Sequence, residues 1–339
     1  MAITKIADLV QHSEFAKYVN QAMIAKSALV KSGIAAPDPV IANKIAAGGG
    51  LEGKTLALPA LNSLDNAADS EVPVEDTAPT FDKVTASEDV AAVHFRRHTF
   101  GVSDVAAIMT GADPMAHIAA QFADYWNRQN QKILLKTLEG VFAANATPTT
   151  GEGAQSYGND GDAIHDITGA SGNAAIIDKD TIMLAAQLLG DRKAELTGIM
   201  MHSAVETILA AMDLNAGLYR ASDGPDRLAK YNGRDIIVDD DCPYDASTKV
   251  ATIYLFGRGA VALNPLPVPH PFEYQRDAAK GTDYLHSWVR EIVHLRGWKW
   301  SGTPAGLAPS NAELATAANW KRVFDKKRIP CVMLKCKLG

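Results

Sequence analysis

Between Pro114 and about Ala144 runs the longest helical stretch of the chain, and any fold must accommodate it as one rod. Asp113 stands at the N-cap position, Pro114 fills the first helical position, where a missing N–H costs nothing, and no glycine or proline follows until Gly140. About thirty residues at 1.5 Å rise span about 45 Å. Ile118, Phe122, Trp126, Ile133, Leu134, Leu138 and Val141 supply an apolar stripe, and Arg128, Gln129, Gln131 and Lys132 a polar face. Such a helix acts as a spine.

Upstream, the first thirty residues read as helix, with Ile6, Leu9, Val10, Phe15, Val19 and Met23 in an imperfect apolar stripe, ended by Gly33 and then Pro37 and Pro39. This N-terminal arm, residues 1–47, has little core of its own and needs a neighbouring surface. Residues 48–100 form an excursion: an extended run from Thr55 to Leu61, an acidic middle, and a second extended run from Asp89 to Phe100. The middle carries Asp65, Asp69, Glu71, Glu75, Asp76 and Asp82 with Pro73 and Pro79, a composition that cannot build a packed core. A protrusion of this length implies a partner.

Downstream, residues 145–175 are rich in Gly, Ser, Thr, Asn and Asp and read as a loop. A helix is expected over 181–189, capped by Asp180 and stopped by Gly190, then an extended run from Leu196 to His202. Ser203 and Glu206 match a capping box opening a helix through Met212. Asn232-Gly233 signals a type I′ hairpin before strands over 234–239, 250–256 and 260–263, which makes this section a compact α+β unit. Extended structure returns over 284–300, a short helix opens on a Ser310 and Glu313 capping box, and a strand covers 329–338.

Bulk properties set the class. A chain of 339 residues with 47% apolar and 21% charged side chains corresponds to about two globular domains. Asp8, His12 and Glu14 sit where a signal peptide needs an apolar stretch, and no apolar run reaches membrane-spanning length, so a cytoplasmic protein is expected. Cys242, Cys331 and Cys336 are an odd set that argues against a disulfide framework; Cys331 and Cys336, on one strand, point to opposite faces as buried structural thiols. A net charge of −6 opposes a surface that grips nucleic acid, and the basic run of Lys321, Arg322, Lys326, Lys327 and Arg328 reads as a solvated face.

The one literal enzyme motif is Gly48-Gly49-Gly50-Leu51-Glu52-Gly53-Lys54-Thr55, which fits the phosphate-cradling pattern G-x-x-x-x-G-K-[ST]. That loop works only where a buried strand feeds it and a helix follows to supply N–H groups. Here Leu56-Ala57-Leu58-Pro59 follows, so Gly48, Gly49, Gly50 and Gly53 read as the hinge of the excursion. Asp239-Asp240-Asp241 lacks calcium-loop spacing and reads as a turn; His94 and His98 in HFRRH lie on an extended run without a third ligand. No G-x-S-x-G elbow surrounds any serine, so no catalytic, cofactor or metal residues are assigned.

The order of parts, carried by ADPMAHIAAQFADYWNRQNQKILLKTLEGVF, IMMHSAVETILAAMDL, YNGRDIIVDDDCP, YLFGRGAVALNP and SNAELATAANWKRVFDKKRIPCVMLK, resembles the major capsid proteins of tailed bacteriophages. The resemblance implies an α+β Hong Kong 97-like capsid fold: N-terminal arm 1–47, extended β-hairpin loop 48–100 lying over a neighbouring subunit, peripheral domain 101–189 with the spine helix, axial domain 190–265, and return strands 266–339 completing the peripheral domain. It implies no active site, self-assembly into pentamers and hexamers of an icosahedral head around double-stranded DNA, and assembly in the host cytoplasm. The chain lacks a long helical N-terminal extension of the built-in scaffold type, so a separate scaffolding protein is expected, beside a portal protein and a decoration protein. Asp69, Glu71, Glu75 and Asp76 on the loop, and Arg96, Arg97 and His98 on its return strand, are the expected intersubunit contacts. Charge reversal at Arg96 and Arg97 is expected to impair assembly without disturbing the subunit fold. The alternatives are an encapsulin-like nanocompartment shell and a nucleotide-binding enzyme.

Overall fold

A computed structural model describes residues 28–48, 54–61, 72–73, 75, 78, 86–110, 114–148, 160–212, 219–220 and 229–339. The arm's apolar stripe and Asp113 lie outside them. Two large sheets and one two-stranded sheet are formed among the described residues, and each large one is assembled from distant parts of the chain.

The chain enters through α1 (Ala28–Lys31), which ends at Gly33 with φ of +72°, and β1 (Ala35–Ala36). The prolines expected to close the arm do something else. Pro39 opens a new helix, α2 (Pro39–Ala46), because Asp38 caps it by accepting from the Val40 N–H at 2.7 Å. The excursion then follows as β2 (Thr55–Leu61) and β3 (Ala86–Ser103), succeeded by α3 (Asp104–Thr110) and the spine, α4 (Pro114–Ala146).

Gly140 does not end α4. A Cβ there would lie 2.0 Å from the Leu314 carbonyl oxygen and 2.7 Å from Trp320 Nε1, so the glycine is where the C-terminal segment presses onto the spine.

Beyond a short strand β4 (Ile164–Asp166), α5 (Thr181–Ala186) gives way to a 3₁₀ stretch through Glu195, kinked at Gly190, and the Asp180 side chain forms no cap. Next come β5 (Leu196–Met201) and α6 (Ser203–Met212). At its start His202 Nδ1 accepts the Ala204 N–H at 3.0 Å, one residue ahead of the cap position that the sequence pattern gives to Ser203. Asn232 and Gly233, with φ of 48° and 76°, form the I′ turn between β7 (Lys230–Tyr231) and β8 (Arg234–Val238); β6 (Tyr219–Arg220) pairs with β7. The chain continues through β9 (Tyr244–Asp245), β10 (Val250–Gly257), β11 (Val261–Pro265), β12 (Phe272–Asp277), β13 (Thr282–Leu295) and β14 (Trp298–Trp300). It closes with α7 (Asn311–Leu314), β15 (Trp320–Arg322) and β16 (Cys331–Lys337). At α7 both halves of the Ser310 and Glu313 box are made.

The six-stranded sheet runs β1-β11-β13-β3-β2, with β12 also on β13. β3 changes partner along its length: Ala86 to Ala92 pair with β2, and Val93 to Ser103 with β13. The eight-stranded sheet runs β4-β16-β10-β5-β8-β7-β6, with β9 on β10. Sheet membership therefore cuts across a boundary at 265/266. β11, from the expected axial segment, joins the six-stranded sheet, whereas β16, from the expected return strands, lies between β10 and β4. The physical reason is that β16 is apolar on both faces and needs a central position. Cys331 faces the core under the spine, with Leu138, Phe142 and Trp320, and Cys336 faces the core of Ile199, Val205 and Ile253. Burial pushes both thiols up, Cys336 to about 12, as fits packing groups.

Candidate functional site

Strand alternation gives β3 and β13 two unlike faces. His98 and Phe100 turn toward α4, where Phe100 meets Phe122 edge-on at 5.3 Å and Trp126 Nε1 donates to Ser287 Oγ at 2.9 Å. The opposite face carries Phe95, Arg97 and Thr99 from β3 with His286, Trp288 and Arg290 from β13. Its aromatic strip is ordered: Phe95 stacks on Trp288 at 5.5 Å, and the Arg97 guanidinium lies 5.4 Å from the Trp288 ring centroid. Thr99 Oγ1 lies 2.9 Å from His286 Nδ1, whose other ring nitrogen is 3.1 Å from Gln275 Oε1. The segment Val268–Pro271 walls this strip into an open groove of about 1210 Å³. Two prolines, Pro269 and Pro271, keep that wall out of the ladder.

The expected contact residues separate here. Arg97 and His98 are exposed, His98 resting on Phe100 and Tyr125 at 4.5 and 4.9 Å. Arg96 is corrected. It points inward, and its Nη2 donates to the Pro309 carbonyl at 2.6 Å and to Asn311 Oδ1 at 3.2 Å, so reversing its charge would damage the subunit itself. Glu75 is exposed; Asp69, Glu71 and Asp76 lie outside the described residues, as do Gly49, Gly50 and Gly53. Gly48 has φ of +87° at the end of α2. Thr55 begins a strand and not a helix, which removes the N–H cradle a phosphate loop needs. The root of the excursion is packed: Leu56, Leu58, Ala91 and Val93 share a core with Ile41, Ala262, Leu266 and Ile292.

Two buried ionisable clusters at that root were beyond sequence reading. In the first, Asp89, fully buried, accepts from His294 Nε2 at 3.0 Å and from the Gly297 N–H at 3.1 Å, with Arg296 Nε at 3.5 Å. Arg296 also pairs with Asp38. Burial alone would raise the Asp89 carboxyl, but His294, the Gly297 N–H and Arg296 together hold it below the usual carboxylate range. In the second, Glu291 lies opposite His94 and takes a hydrogen bond from Asn130 Nδ2 at 2.9 Å.

The remaining motifs have structural employment. Asp240 Oδ1 accepts from the Ser203 N–H at 3.4 Å and Asp239 Oδ1 from the Asp241 N–H at 2.9 Å, turn and cap bonds. His94 is buried and His98 exposed, and among the described residues no three ligating side chains converge. The basic run is partly spent inside the subunit, Arg322 on Asp162 at 2.7 Å and Lys327 on Asp191 at 3.0 Å. Among the described residues no helix is long and apolar enough to cross a membrane.

Comparison with known proteins gives this surface its setting. Residues 143–333 match the model of the Gp13-like family, major capsid protein 13-like. The chain is 35% identical over 346 aligned positions to the major capsid protein of Bacillus phage SPP1, covering 100% of this chain and 99% of that one. Solved structures with the same fold include one from Microbacterium phage Oxtober96 (TM-score 0.53, 13% identity, 91% of this chain and 90% of that one). The asymmetric unit of the bacteriophage PhiM1 mature capsid gives a TM-score of 0.52 at 12% identity, covering 91% and 86%.

Proposed function

Since the chain belongs to the Gp13-like family of tailed-phage major capsid proteins, and is a shell-building subunit of the virion and not an enzyme, we propose that its copies form the pentamers and hexamers of an icosahedral head. In this reading the head assembles in the host cytoplasm with a separate scaffolding protein, joins a portal and a decoration protein, and encloses double-stranded DNA that it does not bind tightly. The full-length likeness to one capsid protein carries the reading, and it favours a phage head over an encapsulin-like compartment.

The division into arm 1–47, extended loop 48–100, peripheral domain 101–189, axial domain 190–265 and return strands 266–339 belongs to the same proposal, with β16 supporting the axial sheet. So does the main contact. The acidic stretch with Asp69, Glu71, Glu75 and Asp76 seats against Arg97 in the groove of the next subunit and against His98 on the adjoining face of the same strand. What supports this is opposite charge together with reach. Ala86, where the described part of β3 begins, is eleven residues from Arg97 along the strand, or about 36 Å at 3.3 Å per residue, which separates the excursion's outer part from its own groove unless the chain folds fully back. Such contacts are heterologous and close only on a curved surface.

Arg97→Glu is expected to cut particle yield at least tenfold while thermal unfolding of the unassembled subunit moves little, because rim charges steer association more than they hold a core. Electron microscopy of lysates expressing the chain with its scaffolding protein reads the yield. Normal numbers of closed heads from the variant would remove the contact from the proposal.

A further inference from the structure

Glu291 occupies the point where the excursion leaves the body of the subunit. It lies one pair from the end of the β3 and β13 ladder, directly across from His94, beneath Asn130 of the spine helix, and only 6% exposed. The groups around it offer acceptors more than donors. His94 donates Nε2 to the Val293 carbonyl at 3.3 Å, which leaves Nδ1 as a bare acceptor, and Asn130 Oδ1 is a second buried acceptor without a donor. A carboxylate can only accept, whereas a carboxylic acid has an O–H to give. The facing cation, Arg96, is held by Pro309, just before α7, and by Asn311, its first residue, where Glu313 also attracts it. Behind lies His294, itself paired with Asp89, and it opposes a proton on His94.

We propose that Glu291 carries a proton in the folded subunit below neutral pH, and that losing it as pH rises loosens the excursion root from the spine helix, making this junction a proton-operated joint. A bare carboxylate here must be paired or wetted. It draws Arg96 away from Pro309 and Asn311, or admits water between β13 and α4. Either event weakens the contacts that fix β3. Burial pushes the Glu291 carboxyl up to about 7, against the lowering effects of Asn130 and Arg96. Burial, with Arg96 and His294, holds His94 down at about 3 despite its bond to Val293, so the imidazole stays neutral while Glu291 titrates.

The test uses the full chain. The folded form keeps a proton that the unfolded form releases at its ordinary value of 4.5, so stability contributed by Glu291 falls as pH rises from there to about 7 and is flat above. In denaturant titrations the folding constant of wild type relative to E291Q is expected to drop about tenfold per pH unit across that window, a ratio in which the opposite dependence from His94 cancels. Hydrogen exchange of β2 and of Ala86 to Val93, corrected for chemical rate, should be faster at pH 8 than at pH 6 in wild type and equal in E291Q. If E291Q fails to fold, wild type labelled with carboxyl-¹³C glutamate is read by infrared: a neutral carboxyl band present at pH 6 and lost by pH 8 supports the joint. Absence of that band at pH 6, equal slopes in both proteins, or pH-independent exchange at the root overturns it.

Discussion

Gly140→Ala is expected to destabilise the subunit by roughly 3 kcal/mol, although alanine is the better helix former. Intrinsic propensity alone favours alanine by about 1 kcal/mol in a helix interior. Packing reverses the sign. The new methyl would fall 2.0 Å from the Leu314 carbonyl oxygen, which is backbone, and 2.7 Å from Trp320 Nε1, which itself donates to that carbonyl at 2.7 Å. Relief requires α7 and Trp320 to lift off the spine together, taking Trp320 from its edge-on contact with Trp300 at 5.2 Å. Tryptophan fluorescence during denaturant unfolding should show an earlier midpoint and a red-shifted native signal. A variant more stable than wild type would mean that the C-terminal segment does not press on Gly140.

Removing the Asp89 carboxylate should cost more, about 3–5 kcal/mol for Asp89→Ala, the range for breaking a buried ion pair by deleting one partner. The loss leaves His294, fully buried, without its acceptor and Arg296 with only Asp38. It also frees the Gly297 N–H at a turn whose φ is +91°. Asp89→Asn should fall between the two, since the amide keeps the shape and an acceptor but not the charge. Because the folded carboxyl titrates below its unfolded value, its contribution is present above the ordinary carboxylate range and is lost as pH falls through the folded value. Thermal midpoints of wild type and Asp89→Asn should therefore converge on acidification. Parallel curves down to strongly acidic pH would contradict this account of Asp89.

These two residues also mark where sequence reading stops. Signals confined to a few neighbours survived: the Asn232-Gly233 turn, the Ser310 and Glu313 cap, the alternation that sends Cys331 and Cys336 to different cores. Signals that depend on what arrives from elsewhere did not. Gly140 reads as a flaw in a helix until Leu314 is brought against it. Alternation puts His94 and Arg96 on one face of β3 and Phe95 and Arg97 on the other, but only β13 and α4 decide which face is inside. Asp89 finds its histidine 205 residues away. At the helix that opens on Ser203, the neighbouring ring of His202 also takes up an N–H, that of Ala204, which the Ser203 and Glu206 pattern did not announce.

The partner exchange along β3 has a mechanical consequence. Hydrogen bonds between strands run perpendicular to the strand direction, so a pull along β3 does not unzip them one at a time. A neighbour tugging on the excursion loads all the pairs from Val93–Ile292 to Ser103–Thr282 in shear at once. The same force applied sideways would meet them singly. If a neighbouring subunit held the excursion, tension along β3 would be borne in the direction in which this ladder is strongest.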